Sequence, residues 1–272
     1  MGVAASYLRG LLPRPAATSV PSTVVRRDDV RIDPAHLLRY ARVCGCTLTG
    51  PLPPAYPHLL GFAPALTLMA GGDFPFRLPG LVHTRQVLTW YRPVEVDEAL
   101  DVEVSAANLA AHHRGATIDV LTRVRAGGDE VWVGRSTYLS RSVRLPSTGD
   151  GPAEPDPEPL PADAWWRLPA GLGRRYAAVS GDRNPIHLSA LTARPFGFRT
   201  AIAHGMWSAA RCLAALEGRL PERGEATVSF RRPVRLPGRV GFGARIDDAA
   251  ITFAVTDPAD RLLVSGRVAP RD

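Results

Sequence analysis

No lysine occurs anywhere in the 272 residues, so all 33 basic side chains are arginine. Arginine codons can be GC-rich, and genome composition is the simplest source of that bias. Against 26 acidic residues the formal net charge is +7. Such a surplus draws in an acidic partner, whether a phosphate-bearing small molecule, an acidic protein or a nucleic acid. The arginines are scattered, however, and none forms a stripe with interleaved aromatics, which argues against nucleic acid. Cysteine is scarce too. Cys44, Cys46 and Cys212 give an odd count, no C-x-x-C pair and no zinc spacing. A disulfide framework is excluded, no metal is expected, and a reducing cytoplasm is the simpler setting. No apolar run reaches the roughly eighteen residues that a membrane-spanning helix needs. Residues 1–6 match a myristoylation pattern only formally, which reads as chance. Arg9, Pro13 and Arg14 break up any signal peptide, so residues 1–20 read as a loose N-terminal arm.

What is present is concentrated in one stretch. Tyr176-Ala-Ala-Val-Ser-Gly-Asp-Arg-Asn-Pro-Ile-His187 places Asp182, Asn184 and His187 within six residues. Gly181 and Asn184-Pro185 are turn signals, and Pro185 holds Asn184 extended, so the segment reads as a fixed loop rather than a helix face. A carboxylate and an imidazole held side by side can move a proton on one small group. Downstream, Ala203-His-Gly-Met206 runs into a helix-forming stretch to Glu217. Gly205 therefore falls at a helix N-terminus, where unpaired N–H groups could hold an anionic oxygen.

Tyr176, Ser180-Gly181-Asp182, Asn184-Pro185, His187 and His204-Gly205-Met206 resemble the signature of MaoC-like (R)-specific enoyl thioester hydratases and 3-hydroxyacyl thioester dehydratases. The resemblance is specific over residues 176–206 and weaker over the whole chain, whose layout is similar to double-hotdog dehydratases. It implies an α+β double hotdog: two antiparallel sheets joined as a continuous pseudo-dimer sheet, each wrapping a central helix. It also implies Asp182 and His187 as the acid–base pair, Gly205 as backbone donor to the thioester oxygen, and Asn184 and His204 as orienting residues. The substrate would be an acyl-CoA or acyl-carrier-protein thioester, with no separate cofactor.

The chain order fits a duplication. Residues 32–45 read as a helix with Asp33 as N-cap, Pro34 in its first turn and Gly45 ending it. Residues 63–69 read as a short buried helix. Residues 83–91, 100–108, 117–124 and 131–139 read as strands. Residues 146–161, with prolines at 146, 152, 155, 157, 159 and 161, read as a semi-rigid linker. The second half repeats the order, with a helix at 172–179, the motif, the helix from Met206, and strands at 226–230, 238–246, 250–256 and 262–268. The expected domains are thus a degenerate hotdog over 21–145 and a catalytic one over 162–272. Arg39-Tyr-Ala-Arg-Val-Cys-Gly45 matches Arg175-Tyr-Ala-Ala-Val-Ser-Gly181 at an offset of 136, and Tyr91-Arg-Pro-Val94 matches Arg231-Arg-Pro-Val234 at 140. Under the first offset Cys46, Leu48 and Pro51 stand where Asp182, Asn184 and His187 stand. One active site per chain is therefore expected, in a monomeric pseudo-dimer or a homodimer of it.

The 63–69 helix reads as shorter than the one from Met206, which predicts room for an acyl tail against Leu66, Met69 and Phe74. Met206, Trp207, Cys212, Cys44 and Cys46 read as core. Arg92 and Arg232, each before a proline, could hold phosphates or face solvent. Two other functions fit part of the sequence. A hotdog thioesterase would carry its acid on the central helix, where only Glu217 lies, near the end. A non-catalytic acyl-binding or partner subunit would have lost Asp182 and His187.

Overall fold

The computed structural model describes residues 19–146 and 157–271. The 1–20 arm and the 146–161 linker fall largely outside these. The first half runs β1 (Val24–Val30), α1 (Pro34–Cys44), α2 (Pro57–Met69), β2 (Val82–Trp90), β3 (Leu100–His112), β4 (Gly115–Ala126) and β5 (Asp129–Ser140). The second runs β6 (Ala164–Leu168), α3 (Leu172–Ser180), α4 (Pro185–Leu188), α5 (Ala190–Ala193), β7 (Ala201–Ile202), α6 (Gly205–Ala215), β8 (Gly224–Phe230), β9 (Arg235–Leu236), β10 (Gly238–Ile246), β11 (Ile251–Thr256) and β12 (Leu262–Pro270).

Ten strands form one sheet in the order β1-β3-β4-β5-β2-β8-β12-β11-β10-β6, and β7 pairs with β9 apart from it. The order is a palindrome of the two halves. β1, β3, β4, β5 and β2 correspond to β6, β10, β11, β12 and β8, and each half carries its own long buried helix. The halves meet where β2 pairs antiparallel with β8, from Arg85↔Ser229 to Trp90↔Gly224. Leu88 and Ala226 face each other there, fully buried. Neither half ends at an open edge at this seam, because each supplies the other's missing neighbour. The expected continuous pseudo-dimer sheet is what the chain forms.

The local chemistry is largely as read. Asp33 caps α1 by accepting from Ala35 N–H at 2.9 Å, and Pro34 sits at its first position. Gly45 closes α1 at φ 74°, and Gly181 closes α3 at φ 76°. Both need the left-handed conformation that glycine adopts without a Cβ penalty, so the repeat reproduces the turn that launches the motif loop.

Two expectations need correction. The first-half central helix starts at Pro57 and spans 13 residues against 11 for α6, so it is the longer of the two. Pro57 opens it as a first-turn proline, while the internal Pro64 and Gly61 hide its first two turns from a propensity reading. The space expected from a shortened helix is therefore not created. Leu66, Met69 and Phe74 are packed in the interior at 4%, 7% and 0% exposure. The edge strands β1 and β6 lay outside the expected set. Their sequences, VVRRDDV and AWWRL, face solvent along most of their length and carry no alternating pattern.

Candidate active site

Asp182, His187, His204 and Gly205 converge at the end of α3 and the start of α6. Asp182 follows the left-handed Gly181 cap. Its Oδ1 accepts from Asn184 N–H at 3.0 Å, and its own N–H donates to Ser180 Oγ at 3.1 Å. Asn184 is extended, as the proline after it requires, and its Oδ1 accepts from Ile186 N–H at 3.3 Å. It thereby caps a single helical turn, Pro185–Leu188. His187 lies on that turn rather than on the loop expected from the Asn-Pro signal. The Asn184 cap holds the turn that carries His187.

Both catalytic-region histidines have a defined tautomer. His187 Nδ1 lies 2.8 Å from the Ile202 carbonyl, which can only accept, so Nδ1 carries the proton and the lone pair is at Nε2. His204 Nε2 likewise donates to the Asp182 carbonyl at 3.0 Å. The His204 ring stacks on His187 with centroids 3.7 Å apart and on Tyr176 at 4.9 Å. It thus contacts both the Asp182 backbone and the face of His187, the positions a buttress would hold. Burial lowers the pKa of His187, with Asp182 partly opposing, and holds His204 down at about 3. Both are neutral near pH 7.

Gly205 begins α6, and the N-cap residue His204 puts no side chain on the first-turn N–H groups. A Cβ at Gly205 would stand 3.1 Å from the Phe230 ring. A larger residue here would press the Phe230 ring back by a few tenths of an ångström, and no side chain caps the helix end that could face an anionic oxygen. The ligand atoms of Asp182, His187 and His204 lie within 4.8 Å of one another, near enough for a shared divalent ion. His187 and His204 each already spend one ring nitrogen on a carbonyl.

The first half contributes to this site although it lacks the motif. Phe62 on α2 flanks Gly181, where an added Cβ would stand 3.6 Å from its ring. His58, one turn earlier on α2, and His83 and Tyr138 of the first-half sheet all lie within the electrostatic reach of Asp182. These residues were missed in the sequence because they sit far from the motif. The available signal was a lone imidazole opening an otherwise apolar helix. In the first half itself the equivalent of Asp182 is Cys46, half-buried, with its thiol pushed up to about 12 by burial. Glu217 accepts from Thr47 N–H at 2.8 Å there, and the Arg211 guanidinium lies against Gly45. Side chains from α6 and its end thus occupy the degenerate position. Arg92 is bound bidentately by Glu98 at 2.8 and 2.6 Å, and Arg232 donates to the Leu262 carbonyl at 2.8 Å.

Comparison with known proteins agrees with this geometry. The MaoC like domain matches residues 167–258. The 3-hydroxyacyl-thioester dehydratase X of Mycobacterium tuberculosis is 40% identical over 234 residues, covering 85% of this chain and 84% of that protein. The crystal structure of HtdX from that organism superposes with a TM-score of 0.81 at 35% identity, over 92% of this chain and all of that one. A MaoC-like dehydratase from Phytophthora capsici shares the fold at a TM-score of 0.75 and 18% identity, over 94% and 97% of the two chains. A carboxylate–imidazole pair beside an open helix end, in the second half of a doubled hotdog, and a relative matched along most of both lengths together show that this chain belongs to the MaoC-like dehydratase family.

Proposed function

We propose that the protein is a (3R)-hydroxyacyl thioester dehydratase, equivalently a trans-2-enoyl thioester (R)-hydratase in reverse. One observation carries this: ligand atoms of Asp182 and His187 lie within 4.8 Å of each other, His187 Nε2 carries no proton, and both stand beside His204, the N-cap of the helix that opens at Gly205. Hydration needs water at Cβ, a proton at Cα and relief for charge growing on the thioester oxygen. Asp182 and His187 Nε2 accept the two hydrogens of one water. As its oxygen bonds to Cβ, the pair takes one proton from it and returns one to Cα, so the pair ends as it began. The thioester oxygen sits on the Gly205 N–H, where such a donor contributes about 3 kcal/mol in the transition state. Dehydration is the same path reversed.

The substrate is an acyl-CoA or acyl-carrier-protein thioester, and the carrier is part of the substrate rather than a cofactor. No metal is assigned, since the carboxylate and a neutral imidazole supply both proton positions. One chain makes a complete pseudo-dimer with one site, in the cytoplasm. The relatives support this class, being named 3-hydroxyacyl-thioester dehydratase, 3-hydroxybutyryl-CoA dehydratase and (R)-specific enoyl-CoA hydratase. A thioesterase reading is disfavoured because neither long helix, PHLLGFAPALTLM or GMWSAARCLAA, carries an acidic residue, and Glu217 is spent on Thr47. Incubation with crotonyl-CoA and a longer enoyl-CoA tests the proposal. Loss of enoyl absorbance without free thiol is expected. Thiol release would mean hydrolysis instead, and no reaction at any length would mean a binding role.

A further inference from the structure

Two imidazoles of the first half are not used by this chemistry. His58 opens α2, and His83 lies near the start of β2, where the register with β5 slips between His83 and Arg85. Such a bulge re-aims the side chain beside it. His83 stacks on its cross-strand partner Tyr138, with centroids 4.9 Å apart and planes 26° from parallel, and meets Phe230 edge-on at 4.8 Å. Phe230 is the ring that closes on Gly205. Phe62, one turn after His58, closes on Gly181 beside Asp182. The wall containing the two histidines therefore touches both ends of the reacting unit.

We propose that His58 and His83 form a polar subsite at the buried end of the acyl pocket, taking a hydrogen-bonding oxygen, hydroxyl or carbonyl, carried on the acyl chain beyond Cβ. His58 Nδ1 and His83 Nε2 are sealed from solvent and have no hydrogen-bond partner among the described residues. Each residue as a whole is of intermediate exposure, while that nitrogen is sealed. The carrier must leave toward solvent, so the sealed end is where the acyl chain goes. Burial holds His58 at about 4 and His83 at about 3, so both are neutral, and the orphaned nitrogen of each can pair with one oxygen or hydroxyl. Ser136 donates to Gln86 at 2.6 Å, two paired positions further along the same two strands. This part of the sheet is polar where an all-methylene chain would need it apolar. A plain alkyl chain would leave both nitrogens unpaired, and sites built for an oxygen discriminate strongly against analogues that lack it.

The inference rests on the dehydratase reading, and the test keeps the two apart. Pairs of trans-2-enoyl-CoAs of equal length, with and without a hydroxyl at C4, C5 or C6, are compared by kcat/KM in wild type and in His58→Phe, His83→Phe and the double variant. Wild type should favour the hydroxylated member of at least one pair by about ten- to a hundredfold, and the variants should bring that ratio toward one. Dissociation constants for the same pairs, measured calorimetrically on Asp182→Asn, should show the same preference without turnover. A wild-type ratio of one or below at every position, or a ratio unchanged in the double variant, overturns the subsite. A binding preference without any hydration in wild type would instead overturn the dehydratase reading and leave the subsite standing.

Discussion

Asp182 and His187 differ in what holds them, and this shapes what their replacement should do. Asp182 is braced by Asn184 N–H and the His204 ring, and His187 by the Ile202 carbonyl. Asp182→Asn keeps the shape and removes the charge. His187→Ala removes the proton acceptor and one stacking partner of His204. Each should lower kcat by about a hundredfold to ten-thousandfold, the usual contribution of an acid–base group, while circular dichroism and melting stay near wild type. Near-normal turnover in either variant would refute the assignment. Gly205 is held to a stricter limit, since a methyl there lies 3.1 Å from the Phe230 ring. Gly205→Ala should reduce kcat more than it raises KM, and Phe230→Leu in the same chain should recover part of the loss. Wild-type kcat in Gly205→Ala would remove the backbone-donor role. The contiguous motif was legible in the sequence because turn chemistry gathers Asp182, Asn184 and His187 into one short segment. His58, His83 and Tyr138 were not, since they reach the site only through the packing of a distant helix and the pairing of distant strands.

Among the elements, α1, α2 and α3 are tied together by a single ring. His36 Nε2 donates to the Val179 carbonyl at 2.7 Å, which leaves Nδ1 to accept from Tyr56 O–H at 2.9 Å. Val179 belongs to the last turn of α3, just ahead of the motif loop, and Tyr56 is the N-cap residue of α2. His36 thus locks the first-half helices to the loop carrying Asp182. Replacing it with Phe deletes two hydrogen bonds worth about 1 kcal/mol each and leaves the Val179 carbonyl short of a donor. A loss of about 2 kcal/mol in denaturant unfolding is expected, together with a fall in kcat that a purely peripheral contact would not cause. An unchanged midpoint would show the bridge to be idle. The elements themselves were readable wherever one face is buried and the other wet. They were unreadable at β1 and β6, whose exposed edges carry charge instead of alternation, and at the start of α2, a helix apolar nearly all round with a proline inside it.

For the molecule as a whole, the four site-region imidazoles make stability depend on pH. Burial is the main cause of each depression: His58 to about 4, His83 and His204 to about 3, and His187 below its ordinary 6.5. The unfolded chain protonates them near 6.5, whereas the folded chain resists until much lower pH. Below 6.5 the unfolded state therefore binds more protons, and stability falls as pH falls toward about 4, with no contribution from these groups above 6.5. The melting temperature should drop between pH 7 and pH 5, before most carboxylates titrate, and drop less in the His58→Gln, His83→Gln double variant. A flat profile over that interval would contradict the buried, neutral state of these rings.

The seam between β2 and β8 has one more consequence. In a two-fold dimer of identical hotdogs, any substitution is written into both sites at once, so a change that helps one wall and harms the other's chemistry has to be accepted or refused as a whole. Here the two hotdogs are one chain joined through Arg85–Ser229 and Trp90–Gly224, and each position exists once. Inheritance can then act on the two halves as separate traits, and the Cys46 that stands opposite Asp182 in the repeat is a difference that an identical pair could not carry.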